Sequence, residues 1–325
     1  MSGKKLTVLL PNYNNADYLK EALDSLFNQT YQDFKIIFVD DCSTDNSLEI
    51  AWSYHDPRMV IIEKNNNSGI VETLNLGLEK VDSTYFIRMD GDDISTLNRF
   101  EKLVSFMDAH DDIDICSSAM SYFGEEEGVA NFESNVLQNK ANLIFGHTIG
   151  HAPSIYRTET FKKNNILYLD RFWRMEDYDL FYRLKDIANA TSIPDVLYLY
   201  RRGAYNTNAT IEKKKKDIFR NFYKMVLTDL NVEVKPIYVN KHLQLAGREE
   251  PNYYYQDYVD YCEFLEEKNR ETKKYPEKEL KKVLNTNLKR LAFRLVDAKR
   301  MNWKEIWAQR KNVTGLLKYA IKTRF

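Results

Sequence analysis

Short apolar runs alternate with amphipathic stretches through the first 110 residues, and this alternation constrains the fold more than any other feature of the chain. Leu6 to Leu10 is a continuous apolar run that breaks at Pro11. Leu19, Ala22, Leu23 and Leu26 follow at i, i+3, i+4 and i+7, one face of a helix. Lys35 to Val39, Met59 to Ile62 and Thr84 to Met89 read as further strands. Ser47 to Trp52, Ile70 to Leu78 and Asn98 to His110 read as helices. Such a series predicts an α/β domain, with a mostly parallel sheet covered by helices on both faces. Ligands of such sheets bind beyond the carboxyl ends of the strands. Three strands end in polar segments there: Pro11 to Asn15, Asp40 to Asp45, and Asp90 to Asp93.

The last of these segments, Asp90-Gly91-Asp92-Asp93, sets three carboxylates directly behind an apolar strand. Mutual repulsion raises the pKa values of acids packed this closely. A divalent cation relieves the repulsion, and Mg²⁺ typically binds one or two carboxylates together with substrate phosphates. A polar turn is the plain alternative, since Asp-Gly favours turns. The stretch from Asp111 to Thr210 mixes strands, helices and loops and contains His147, His151, Glu176, Asp177 and Asp179. Glu176 and Asp177 are adjacent and cannot share one helix face, so separate tasks are expected of them. Acids placed just before Leu180 and Leu184 also suit the start of a helix.

With these segments in order, the chain resembles the inverting family 2 glycosyltransferases of the GT-A (Rossmann-like) fold, of the kind that builds bacterial polysaccharides and lipid-linked glycans. The residues that carry the resemblance are Thr7 to Asn14, Gln29 to Asp45, Asn65 to Gly69 with Asn75, Asp90-Gly91-Asp92 as the Asp-x-Asp motif, His151 to Arg157, and Met175 to Leu180. It implies that Pro11 and Tyr13 shape a nucleotide pocket. Asp40 would accept from the uracil of a UDP-sugar, with Asp41 beside it, and Gly69 would let the backbone approach. Asp90 would lie near the ribose, and Asp92 would bind Mg²⁺ or Mn²⁺, with Asp90 as a second candidate ligand. Asp177 would be the general base, with Glu176 on the acceptor, and His151 would be an acceptor-side candidate. Family members often carry a histidine shortly after the Tyr-Arg that ends the domain, but here Tyr200-Arg201-Arg202-Gly203 has glycine. The metal would then rest on Asp92, phosphate and water, or Arg202 would neutralise the diphosphate.

The expected organisation is a catalytic domain over residues 1–210, with a nucleotide-binding half (1–110) and an acceptor-binding half (111–210), followed by a mainly helical region over 211–325. A net charge of −1 gives no pull toward nucleic acid. Three widely spaced cysteines suggest neither a disulfide framework nor a zinc site. With no signal-peptide pattern and no apolar run of about 18 residues, a cytoplasmic chain is expected. Residues 281–325 carry 13 Lys/Arg against 2 Asp/Glu. Leu284, Leu288, Leu291 and Leu295 form a helical stripe there, roughly continued by Trp303, Ile306, Trp307, Val313, Leu317 and Ile321. A basic helix with tryptophan on its apolar side suits an anionic membrane surface. The same stripe would also serve as a homo-oligomer contact or as packing on the catalytic domain.

The expected activity is transfer of a sugar from a nucleotide donor to a hydroxyl of a glycan or lipid-linked glycan. Two alternatives stand beside it. A sugar-nucleotide pyrophosphorylase usually has a glycine-rich basic loop after its first strand, whereas this chain has Pro11-Asn12-Tyr13-Asn14-Asn15-Ala16. The other is a catalytically inactive nucleotide- or glycan-binding protein.

Overall fold

The computed structural model describes residues 4–172, 174–203 and 209–297. The chain divides into two compact units, one of Met1–Asn139 with His147–Asn206, the other of Lys140–Gly146 with Thr207–Phe325.

The first unit opens with the expected alternation: β1 (Leu6–Asn12), α1 (Ala16–Phe27), β2 (Phe34–Asp40), α2 (Ser47–Ser53), β3 (Met59–Glu63), α3 (Ile70–Glu79) and β4 (Tyr85–Arg88). Then come β5 (Ile94–Ser95), α4 (Arg99–Ala109), β6 (Ile115–Gly124), β7 (Gly128–Ala130), α5 (Val136–Asn142), β8 (Ser154–Arg157), α6 (Thr158–Lys163), α7 (Glu176–Leu184) and β9 (Ala190–Arg202). One sheet runs β3-β2-β1-β4-β8-β6-β9-β5, with β7 on β6. β3, β2, β1 and β4 are mutually parallel, and β8 pairs antiparallel with both β4 and β6. The sheet is therefore mostly parallel on one side and mixed on the other.

The apolar runs bury as their pattern requires. Leu6, Val8 and Leu10 of β1 share a core with Leu19, Leu23 and Leu26 of α1 and with Phe100, Leu103 and Met107 of α4. Arg99 is fully buried too, its guanidinium donating to the carbonyls of Arg88 (3.1 Å) and Ala152 (2.7 Å) across the Tyr198 ring. Here the strand β4 and the segment before β8 are joined by an ionic hydrogen-bond donor.

Pro11 departs from expectation, because β1 continues through it to Asn12. Leu9 accepts a bond from Met89, so Leu9 and Pro11 turn their backbone polar groups toward β4. The pairing with β4 stops at the Leu9–Arg88 register. The N–H that proline lacks therefore has no ladder partner to lose.

The second unit contains α8 (Ala209–Asp229), α9 (Pro236–Leu245), α10 (Tyr255–Thr272) and α11 (Glu277–Asp297). His242 is wholly buried in it, donating from Nε2 to the Ile144 carbonyl at 2.8 Å, and Tyr223 donates to the Phe145 carbonyl at 2.7 Å. The α11 helix packs on α9 and α10. Leu284, Leu288, Leu291 and Leu295 are all buried, which corrects the expectation of a membrane-facing stripe for this stretch. The rest of that stripe, Trp303 to Ile321, lies outside the described residues. No described helix is long and apolar enough to cross a membrane.

Candidate active site

The parallel register brings the carboxyl ends of β1, β2 and β4 to one edge, with Asn12 level with Asp40 and Leu9 with Arg88. A cavity of about 360 Å³ opens there. Pro11, Tyr13, Asp41, Gly69, Asp90 and Asp92 are among its lining residues. A second cavity of about 340 Å³ is lined by residues that include Arg88, Asp90, His147, His151, Glu176, Asp177, Tyr200 and Arg202. Asp90 lines both cavities.

The neighbours Asp40 and Asp41 are used differently. Asp40 is 1 % exposed and its oxygens are taken up internally: Oδ1 accepts from Asn12 (2.9 Å) and the Ser43 hydroxyl (2.6 Å), and Oδ2 from the Ser43 amide (2.8 Å). It does not line the first cavity, whereas Asp41 does. Strand alternation is the reason, since adjacent residues point to opposite sides. Asp41 accepts from Lys64 Nζ at 2.5 Å and from the amides of Ser68 (2.9 Å) and Gly69 (2.8 Å). Burial would raise its pKa, but Lys64 and the two amides outweigh burial and hold it below the usual carboxylate range. Gly69 has φ +89°, the left-handed region that favours glycine, and this directs its N–H onto Asp41. At Gly91 a Cβ would come within 2.9 Å of Asn15 Nδ2, so the acid turn lies tight against the loop after β1.

The four residues of the acid cluster separate into different environments. Asp90 pairs with Arg88 at 2.6 Å. Burial and the charge of Asp90 raise the pKa of Asp92. Asp93 is buried and faces inward, accepting from the Tyr198 hydroxyl (2.7 Å) and the Arg201 amide (2.8 Å). Arg201 also donates from Nε to the Asp92 carbonyl at 2.8 Å. The turn is thus fastened to β9 from behind, and Asp90 and Asp92 are left facing cavity. Among the described residues no group of three or more His, Cys, Asp or Glu side chains could by itself hold a metal. Two crowded carboxylates nonetheless fit a cation that brings phosphate oxygens as its other ligands.

On the second cavity, α7 begins at Glu176. Both readings of these acids hold at once, because they occupy a helix N-terminus and also line a cavity. Both carboxylates border the same space. Their electrostatics do diverge. Burial and the charge of Asp177 raise the pKa of Glu176. Burial also acts to raise that of Asp177, but His147 and the Tyr178 amide overcome it and hold the carboxyl well below its usual range. The α7 helix is anchored by Asp179, fully buried between Arg171 (2.6 Å) and Arg183 (2.8 Å).

His151 bonds through Nε2 to the Tyr168 hydroxyl at 2.9 Å, and burial with Arg88 nearby pushes its pKa down to about 3, so the ring is neutral. Asn75 holds the same Tyr168 by a pair of 2.9 Å bonds to its amide and carbonyl. The Arg202 guanidinium lies over the rings of Tyr122 (4.6 Å) and Tyr200 (5.3 Å). Arg157 is turned to the Ile113 and His110 carbonyls.

Sequence reasoning overlooked Arg88, which lines the second cavity with only 11 % of its side chain exposed. Its signal was available, as a cation two residues before an acid at the end of an otherwise apolar strand.

The sequence matches the glycosyl transferase family 2 pattern over residues 7–180. It is 32 % identical over 211 residues to the putative glycosyltransferase EpsE of Bacillus subtilis, covering 62 % of this chain and 74 % of that one. It is 27 % identical over 251 residues to an uncharacterized glycosyltransferase of Haemophilus influenzae, covering 71 % and 77 %. Among solved structures, S. aureus TarS 1-349 in complex with UDP-GlcNAc superposes with a TM-score of 0.60 at 20 % identity, covering 90 % of this chain and 87 % of that one. The mannosyltransferase PcManGT from Pyrobaculum calidifontis, in complex with GDP-Man and Mn²⁺, gives 0.52 at 14 %, covering 93 % and 77 %.

Proposed function

Because this chain belongs to glycosyl transferase family 2, with the transfer from a nucleotide sugar that this entails, we propose that it is an inverting, metal-dependent enzyme using a UDP-sugar. Its acceptor is a hydroxyl of a glycan or lipid-linked glycan. The observation that carries the reading is the pair of cavities sharing Asp90, one bordered by Asp41 and Asp92, the other by Glu176 and Asp177.

The nucleotide occupies the first cavity, with Pro11 and Tyr13 along the base and ribose. Asp41 takes the base-recognition role, since it lines this cavity and Asp40 does not. The Gly69 turn keeps the backbone close. Asp92, with Asp90, would hold Mg²⁺ or Mn²⁺, which when bound supplies Lewis-acid stabilisation to the leaving diphosphate. Arg202 adds positive charge from the other cavity.

The acceptor enters the second cavity with Glu176 as a hydrogen-bonding partner. Its oxygen attacks the anomeric carbon through an oxocarbenium-like transition state, as in glycoside chemistry. The bond to the diphosphate oxygen breaks with its electron pair, and the hydroxyl proton passes to Asp177. One displacement from the opposite face inverts the anomeric centre. The choice of UDP is supported by the UDP and UDP-GlcNAc held by TarS, and that of a cation by the Mn²⁺ held by the mannosyltransferase.

The test is a panel of UDP- and GDP-sugars with and without Mn²⁺ or Mg²⁺, scored by release of the nucleoside diphosphate. Cation-dependent turnover of one UDP-sugar, even by slow hydrolysis, is expected. Turnover restricted to a GDP-sugar would replace the donor assignment, and absence of nucleotide binding would overturn the reading.

A further inference from the structure

His147, in the loop before β8, presents its two ring nitrogens to different partners. Nδ1 lies 2.9 Å from the Ile149 carbonyl oxygen. A carbonyl only accepts, so Nδ1 carries a hydrogen. Nε2 lies 3.3 Å from Oδ2 of Asp177, whose Oδ1 accepts the Tyr178 amide at 2.6 Å. With Nδ1–H fixed, a neutral ring would turn the Nε2 lone pair onto a carboxylate oxygen. Two acceptors would then face each other with no hydrogen between them. One proton resolves the contact, either on Nε2, giving imidazolium and carboxylate, or on Oδ2, giving imidazole and carboxylic acid. The pair has the same net charge in both forms.

We propose that His147 and Asp177 form a dyad that holds one proton in common, with His147 the positioning residue that keeps the base ionised and fixes its orientation toward the acceptor. The proposal rests on Asp177 being the base. Other charged and titratable groups also face the pair. Glu176 and Asp90 supply negative charge, Arg88 and Arg202 positive charge, and His151 is neutral. Among the described residues, only Asp177 of this cavity's carboxylates has a histidine within ion-pairing distance. Its neighbour Glu176, at the same helix terminus and without such a partner, shifts the opposite way. Environments that drive two neighbouring acids apart are how acid–base roles are separated. In turnover the dyad gains the acceptor's hydroxyl proton and releases it to solvent after the product leaves.

Two measurements on the full chain test this. In the first, histidine is labelled with ¹⁵N and both ring nitrogens are followed by NMR against pH. His147 is picked out from the five histidines by its loss in His147→Gln. At pH 7 both of its nitrogens should be protonated, with titration above the ordinary histidine value of about 6.5. In Asp177→Asn the titration should fall by a unit or more, leaving the neutral form with its hydrogen on Nδ1. A His147 that is neutral at pH 7 with the hydrogen on Nε2, or unmoved by Asp177→Asn, overturns the proposal.

The second is a pH profile of kcat on the donor that the panel identifies. His147→Leu should lift the acid limb by a pH unit or more with donor KM within twofold. His147→Gln, which still offers a donor to Oδ2, should recover most of kcat. An acid limb unmoved in His147→Leu also overturns the proposal. Wild-type transfer by Asp177→Asn would instead remove the base assignment, and the NMR result would still decide whether the proton is shared.

Discussion

The two cavities of the first unit are built by different means. The first cavity gathers the ends of neighbouring strands, and the two acids at the end of β2 are met by protein donors. Asp40 is closed by Asn12 and Ser43, and Asp41 is met by Lys64 and two amides. The other side takes Arg88 from β4, Glu176 and Asp177 from α7, Arg202 from β9 and two histidines from one loop. Its carboxylates are not evenly compensated, since Glu176 is pushed up and Asp177 down. A site that binds a fixed ligand gains from satisfied, rigid donors, whereas one that moves a proton needs groups whose charge states differ. The opposed shifts of Glu176 and Asp177 support the proposed division, with donor binding in the first cavity and proton transfer in the second.

The largest test of that division is Asp177→Asn. It should lower kcat by about 10³-fold, in the range expected for loss of a general base, and leave the nucleotide Kd unchanged by calorimetry. Loss of nucleotide affinity in that variant would break the division. Next is Asp92→Asn, expected to lower metal-stimulated turnover about 10²-fold and to remove the cation dependence of nucleotide binding. It should act on both functions, since a cation at that position would touch the bound nucleotide and the developing charge. Asp41→Asn should raise donor KM roughly tenfold with little change in kcat, the pattern of lost uniform binding.

The contrast also explains how far the sequence could be read. The first half was legible where its parts are local. Leu19, Ala22, Leu23 and Leu26 mark α1 by spacing alone, and all four are buried. Asp90 and Asp92 follow their strand directly and do face cavity. That Asp41 and not Asp40 lines the first cavity was not legible, since it depends on which face of β2 meets the space beyond β1. The acceptor half was visible as acids and histidines but not as an arrangement. That His147 meets Asp177 at a separation of 30 residues follows from the packing of one loop on α7, and no periodicity encodes it. In the second unit the leucine stripe of α11 was recognised as a face, yet its partner was not. An apolar face states that something covers it, and only the fold shows that α9 and α10 do.

The smallest effect is the sharpest test, because Asp41 and Glu176 should respond with opposite sign. Asp41 has a folded-state pKa below its unfolded value, so it adds stability above about pH 4 that is lost as pH falls through the folded pKa. Asp41→Asn should therefore lower Tm at pH 7, with the deficit shrinking toward acid pH. Glu176 has a folded-state pKa above its unfolded value. The folded state then binds more protons, and Glu176 subtracts stability as pH rises from about 4.3 through the folded pKa. Glu176→Gln should raise Tm at pH 8 by a few degrees at most and leave it unchanged at pH 4, while impairing transfer. Stability gained by removing an acid that function needs is the trade expected where charge is held ready for chemistry. Thermal unfolding of both variants at pH 4 and pH 8 reads the two signs directly, and like signs at pH 8 would mean that Asp41 and Glu176 do not differ in the way their surroundings indicate.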